Sequence, residues 1–254
     1  GLGDTGLVTF DISDPANPMT VDEDLDGVLR AGVVQGDYLY ANGNLNSGRL
    51  AVYDISTPTA PVLVADVSIS TDFGTTTGIA ANGDTLYVSQ ISPHVINIVD
   101  ISTPTAPVRV GQTAATIDWV RHLFVQGDKL IATGDSAVEL FDISDPRNPV
   151  SQDQQTASGR VAALVNGDIF TNTRVHRVTG TTLTEIDTFT TLGSNADGAP
   201  FDGVLSDGLV YMTVQSTVMV LAETRPQPTP IMGRAAIDHG ATHAAGEVSA
   251  TTFT

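Results

Sequence analysis

The chain has 254 residues, enough for one large domain or two small ones, and no apolar run approaches the ~18 residues that span a bilayer. Asp and Glu number 29 against 11 basic residues, a formal charge of -18, which excludes nucleic acid and anionic membrane as partners because both require a basic footprint. Cysteine is absent, so disulfides, thiolate metal sites and a cysteine nucleophile are excluded as well.

In chain order, the first predicted strand is Leu7–Ile12, closed by a turn at Ser13–Pro18 and followed by a strand over Met19–Leu25. Next comes a hairpin: Val28–Gln35, a Gly36-Asp37 turn, and Tyr38–Ala41. Arg49–Ile55 and Pro61–Val67 complete that unit. The pattern then returns. Phe10-Asp11-Ile12-Ser13-Asp14-Pro15-Ala16-Asn17-Pro18 reappears from Tyr53 to Pro61, from Val99 to Pro107 and from Phe141 to Pro149. A Gly/Asp turn precedes the later copies at Gly36, Gly83 and Gly127, and recurs at Gly167, with weaker versions at Gly208 and Gly246.

Self-similarity at a period of about 40 residues marks a propeller or solenoid. The two prolines of each phrase cannot donate ladder hydrogen bonds and belong in the turn and at the start of an outer strand. The repeated aspartate is expected to cap that turn through its carboxylate, a structural role. The glycines stand 38 to 47 residues apart, and the path from Gly246 through both termini to Gly36 is 44 residues. We therefore expect an all-β chain: a single domain, a six-bladed propeller of four-stranded antiparallel blades. One blade would be closed by two amino-terminal and two carboxyl-terminal strands, residues 1–26 with 237–254. The others would fall at about 27–70, 71–114, 115–156, 157–191 and 198–236. Thr184–Phe189 and Val218–Glu223 stand where the phrase is degenerate, and Arg225–Pro230 reads as a lengthened hairpin loop.

The repeated phrase, an acidic residue with Ile-Ser leading into Pro-x-x-Pro, resembles the LVIVD-repeat β-propeller family over residues 1–150. The resemblance implies the propeller fold and an extracellular or periplasmic location. It supplies no catalytic motif. Ten arginines against the single Lys129 also suit a high-salt or extracellular setting, or equally a GC-rich genome.

In a propeller the first strands line the central channel and their starts frame one mouth. Arg30, Arg121 and Arg160 occupy equivalent slots there, with Trp119, His122 and His239 beside them and Asp202 and Asp238 nearby. Arginine's planar fork suits a carboxylate or phosphate, and Trp119 could wall a pocket. The competing reading pairs these arginines with the chain's own carboxylates. His94 and His176 read as solvated or structural, and His239 and His243 are too far apart on a strand, about 13 Å, to share a metal. Asp22, Asp24 and Asp26 match the first half of a calcium loop, but Val33 stands where the closing glutamate belongs, so calcium is a weak expectation and no other cofactor is expected. Gly1–Gly6 spells a dinucleotide fingerprint without the strand and helix that would give it meaning.

Two functions survive. One is a monomeric binding module for a small anion at the channel mouth, or for a protein partner. The other is an axial-pocket lyase, isomerase or hydrolase in which the arginines clamp the anion, His122 or His239 moves the proton, and Asp202 or Asp238 orients the imidazole.

Overall fold

The computed structural model describes residues 2–3, 6–24, 29–43, 48–69, 76–114, 119–156, 163–165, 167–171, 174–188, 200–206, 209–214, 217–223 and 248–253. Of residues 2–3, 24, 30, 43, 163, 165 and every strand from Pro200 onward, only the backbone is described. All elements among these residues are β-strands, and every pairing is antiparallel. The chain forms two compact units, residues 1–154 and 155–254.

The first unit carries four sheets. Sheet 1 is β1 (Leu2–Gly3), β2 (Gly6–Asp11) and β3 (Met19–Asp24). Sheet 2 is β4 (Leu29–Gln35), β5 (Tyr38–Gly43), β6 (Arg49–Asp54) and β7 (Val62–Ser68). Sheet 3 is β8 (Thr76–Asn82), β9 (Thr85–Gln90), β10 (Val95–Asp100) and β11 (Val108–Gln112). Sheet 4 is β12 (Val120–Gln126), β13 (Lys129–Gly134), β14 (Ala137–Asp142) and β15 (Val150–Thr156). The second unit carries sheet 5, β16 (Ala163–Val165), β17 (Asp168–Phe170), β18 (Arg174–Thr179) and β19 (Thr182–Thr188), and sheet 6, β20 (Pro200–Ser206), β21 (Leu209–Val214), β22 (Thr217–Glu223) and β23 (Val248–Phe253). Each four-stranded sheet is a meander, the form of a propeller blade.

The repeated phrase explains how each meander turns. Asp11, Asp54, Asp100 and Asp142 each accept the N–H of the serine two residues on, at 2.8–2.9 Å. This side-chain turn ends the third strand, as the sequence suggested. A backbone bond then folds the proline segment back: Asn17, Ala60, Ala106 and Asn148 donate to the residue three before each. The two landmarks also meet, since Ile55, Ile101 and Ile143 donate to the carbonyls of Asp37, Asp84 and Asp128 in the glycine turns. Gly36, Gly83 and Gly127 take φ of 59°, 56° and 59°, a conformation glycine adopts without steric cost.

The core of the first unit lies in the seams between sheets. Tyr40, Leu50, Val52 and Ile69 of sheet 2 pack on Ile79, Leu86, Val88, Val99 and Ile101 of sheet 3. Tyr87, Ile96 and Ile98 of sheet 3 pack on Leu130, Phe141 and Ile143 of sheet 4, and the Tyr87 hydroxyl donates to the Pro146 carbonyl at 2.9 Å. Strands β9, β10, β13 and β14 are buried along nearly their whole length, covered on both faces, whereas the outer strands β7, β11 and β15 mix exposed and half-buried positions.

Two expectations need correction. Val248–Phe253 does not join the amino-terminal sheet. It pairs with β22 over six residues, from Val218↔Phe253 to Glu223↔Val248, taking the outer place of sheet 6 and covering an edge β22 would otherwise expose. Sheet 1 is accordingly three-stranded, and Thr242–Ala245 lies outside the described residues. Second, Thr184–Phe189 falls largely within the outer strand β19. The third strand ends at Thr179, and a tight turn at Gly180, φ 62°, replaces the proline loop. Arg225–Pro230 also lies outside the described residues.

Candidate functional site

The first strands of four sheets share an irregularity at their starts. Pairing runs Leu29↔Gly43 then Ala31↔Asn42, Val120↔Gly134 then His122↔Thr133, and Pro200↔Val214 then Asp202↔Thr213. Arg30, Arg121 and Phe201 are thus extra residues at one bulge, and sheet 3 slips by one residue between Thr76 and Ile79. A bulge re-aims the side chain it carries. By register, Phe201 holds the position of Arg121 in sheet 6, and Asp202 corresponds to His122 and Ala31.

A buried polar residue stands six positions after each of three glycine landmarks, Asn42, Ser89 and Thr133, and the first two hold the irregular starts of sheets 2 and 3. Asn42 accepts from the Ala31 N–H at 3.0 Å and donates to the Thr77 carbonyl of sheet 3 at 3.1 Å. Ser89 accepts from the Gly78 N–H at 2.7 Å and also reaches the Val120 carbonyl of sheet 4 at 3.3 Å. Thr77 donates to that same carbonyl. Buried backbone groups at these starts thereby gain partners, and sheet 2 is tied to sheet 3 and sheet 3 to sheet 4.

Arg121 is the one predicted site arginine whose side chain is described. Its Nε and Nη2 donate to the two carboxylate oxygens of Asp135 at 2.8 and 3.0 Å, a bidentate pair only 25% and 22% exposed. The guanidinium carbon lies 5.0 Å from the ring centroid of Trp119, itself 42% exposed. His122, half-buried, stacks with Phe124 at 6.3 Å between ring centroids. The structure therefore brings Trp119 and Arg121 together, and sets the His122 ring against Phe124. The sequence reading missed Asp135, although the hairpin register that sets Val120 opposite Gly134 places it beside Arg121.

The side chains of Arg30, Asp24 and Asp202 lie outside the description, as do Arg160, Asp238, His239, His243 and Asp26 altogether. Asp22 and Asp24 stand at alternate positions of β3. No cluster of three metal-ligating side chains occurs among the described residues.

The charge imbalance governs the other cations among the described residues. Arg49 pairs with Asp66, Arg147 with Asp100, Arg174 with Glu185, and Arg177 with Asp168. Lys129 holds both Asp128 and Asp142, at 3.3 and 3.1 Å. Arg109 instead donates to the amide oxygens of Asn97 and Gln112. Any anion must thus compete with resident carboxylates. The Ser144 hydroxyl and N–H, then Lys129, hold the Asp142 carboxyl down at about 2. His176 is fully buried on β18 with neither ring nitrogen hydrogen-bonded among the described residues, and burial lowers its pKa.

Blades, glycine turns and phrase define a protein of the β-propeller class. Residues 1–23, 32–69 and 73–114 match the family model of the LVIVD repeat. No curated protein matches the chain in sequence. Among solved structures, a Lactobacillus plantarum protein is similar at 14% identity and TM-score 0.68, over 87% of this chain and 75% of that one. A putative 6-phosphogluconolactonase from Bacteroides uniformis is similar at 12% identity and TM-score 0.69, over 98% and 82%. A Pseudomonas aeruginosa periplasmic gluconolactonase is similar at 13% identity and TM-score 0.60, over 76% and 64%. At these identities the likeness concerns the fold.

Proposed function

We propose that the chain is a six-bladed, monomeric propeller acting outside the cytoplasm as a binding module for a small carboxylate or phosphate, recognised where the first strands begin. The observation that carries this reading is the Trp119–Arg121–Asp135 group. The arginine sits on a bulge, one edge of its fork fixed by Asp135, with a half-exposed indole against its plane. Asp135 orients the guanidinium and also competes for it, so a ligand would engage the remaining Nη edge and the Trp119 face. Association should be modest and salt-sensitive. The extracellular or periplasmic location draws on the LVIVD resemblance.

The enzymatic alternative, with His122 or His239 as acid–base group, would rest on the same arginine. No described observation favours it over binding.

A thermal-shift screen of small carboxylates, phosphates and sugar acids, with calcium and EDTA arms, tests the reading. One anion class should raise the melting temperature, and Arg121→Ala should weaken its binding by roughly tenfold to a hundredfold, the worth of a charge-assisted bond. A uniform lack of response in the parent, with Arg121→Ala indistinguishable from it, would refute the anion site. Turnover of a responding ligand would move the assignment to the enzyme.

A further inference from the structure

Arg109 is the exception among the described cations. Arg49, Arg121, Arg147, Arg174, Arg177 and Lys129 each hold a carboxylate, so an incoming anion meets a charge already neutralised. Arg109, half-buried on the outer strand β11, has two amide oxygens as its described partners. Its Nε donates to Asn97 Oδ1 at 2.7 Å and its Nη2 to Gln112 Oε1. The repeat shows that acids can stand at both places. The register Asn97↔Gln112, with the slip that sets Val99 opposite Arg109, matches Ala51↔Asp66 and Tyr53↔Leu63 in sheet 2. Gln112 therefore stands where sheet 2 has Asp66, which holds Arg49. Asn97, two residues ahead of the phrase, stands where sheet 4 has Glu139, and Arg109 stands where sheet 4 has Ser151, which donates to Glu139 at 2.6 Å. In a chain of 29 acids and 11 basic residues, two amides thus replace acids around one arginine, and they orient its guanidinium without cancelling its charge.

The amides are themselves fixed. Asn97 and Gln90 are 1% and 3% exposed. Gln90 Nε2 donates to the Ser92 carbonyl at 2.7 Å, and Asn97 Nδ2 donates to Gln90 Oε1 at 3.0 Å, which turns the Asn97 oxygen toward Arg109. Nε and Nη2 carry the two bonds, so the end of the fork, Nη1 and the second hydrogen of Nη2, has no described partner. We propose that this end of the Arg109 fork binds a small monocarboxylate through two parallel N–H···O bonds. The planar fork matches a planar carboxylate. A net charge of -18 repels a dianion such as phosphate more strongly than a monoanion. The site stands on β11, apart from the strand-start group around Arg121, and does not depend on it.

The test is heteronuclear NMR of the whole nitrogen-labelled chain, titrated near neutral pH with sodium acetate and, at matched ionic strength, with sodium chloride. The Arg109 Nε–H and the Asn97 side-chain amide are expected to shift saturably with acetate, with a dissociation constant on the order of 10 mM. Arg109→Gln should abolish the Asn97 shift. Gln112→Glu should weaken binding about tenfold or more, because the added carboxylate neutralises the fork as Asp66 does for Arg49. Gln112→Ala, which adds no charge, should bind acetate within about threefold of the parent. If Arg109→Gln fails to fold by circular dichroism, substitution at the exposed Gln112 decides alone. No saturable shift beyond that of chloride up to about 100 mM, or parent-like binding by Gln112→Glu, would overturn the proposal. So would tighter binding of phosphate than of acetate. Arg121→Ala should leave the Arg109 titration unchanged, which separates this site from the strand-start group.

Discussion

The aspartate that ends each third strand acts through its charge and its geometry together. Asp142 takes the Ser144 N–H at 2.8 Å and faces Lys129, and its carboxyl is held from 3.8 down to about 2. A depressed carboxyl adds stability that is complete above the ordinary value and is lost as pH falls through the lowered one. Asp142→Ala should therefore melt lower than the parent at pH 7, and the gap should close between pH 3.8 and about 2. Asp142→Asn, which keeps the acceptor, should recover part of the difference. His176 works in the opposite chemical sense but with the same sign. Burial lowers it from 6.5, so the folded state resists the proton and loses stability as pH drops below 6.5. His176→Leu, which removes two buried nitrogens with no described hydrogen bond, should match or exceed the parent's melting temperature at pH 8 and lose less on acidification. Superimposable pH profiles would contradict that account. The turn role of the aspartates was legible because the phrase repeats. The burial of His176 was not, because the degenerate fifth repeat hides which face of β18 is covered.

Strands and turns were legible where residue types force them: glycine–aspartate hairpins, prolines barred from ladders, alternation on outer strands. What escaped the sequence were features set by register, such as the bulge that moves Phe201 into the arginine position and the pairing of β23 with β22. A one-residue slip leaves composition unchanged while reversing every side chain. The bulges also bring sheets close together. A Cβ at Gly78 would stand 3.1 Å from the backbone of His122 and Leu123 and from the Ser89 hydroxyl. Gly78→Ala should cost about 1–3 kcal/mol by overpacking, and Ser89→Ala about the same by stranding the Gly78 N–H, both read by urea unfolding. Values near zero would show that the seam between sheets 3 and 4 is looser than these contacts imply.

Over the whole molecule, charge is the dominant constraint. A formal charge of -18 on 254 residues strains the compact state, and each described arginine already holds a carboxylate or an amide oxygen. Raising sodium chloride from about 0.01 to 1 M should increase the melting temperature, because screening relieves self-repulsion over a Debye length that shrinks from about 30 to 3 Å. A falling melting temperature would mean that the internal ion pairs outweigh the repulsion. The same imbalance explains why the sequence placed Arg121 at the start of its strand but did not name its partner: Asp135 is one of 29 acids, and only the folded hairpin selects it.

The most direct measurement is calorimetric titration of the best anion from the screen into the parent, Asp135→Asn and Arg121→Ala. If Arg121 reads an anion, Asp135→Asn releases the competing carboxylate and binds more tightly, while Arg121→Ala binds weakly or not at all. Equal affinity in all three proteins would contradict the account and leave the Arg121–Asp135 pair as a strut.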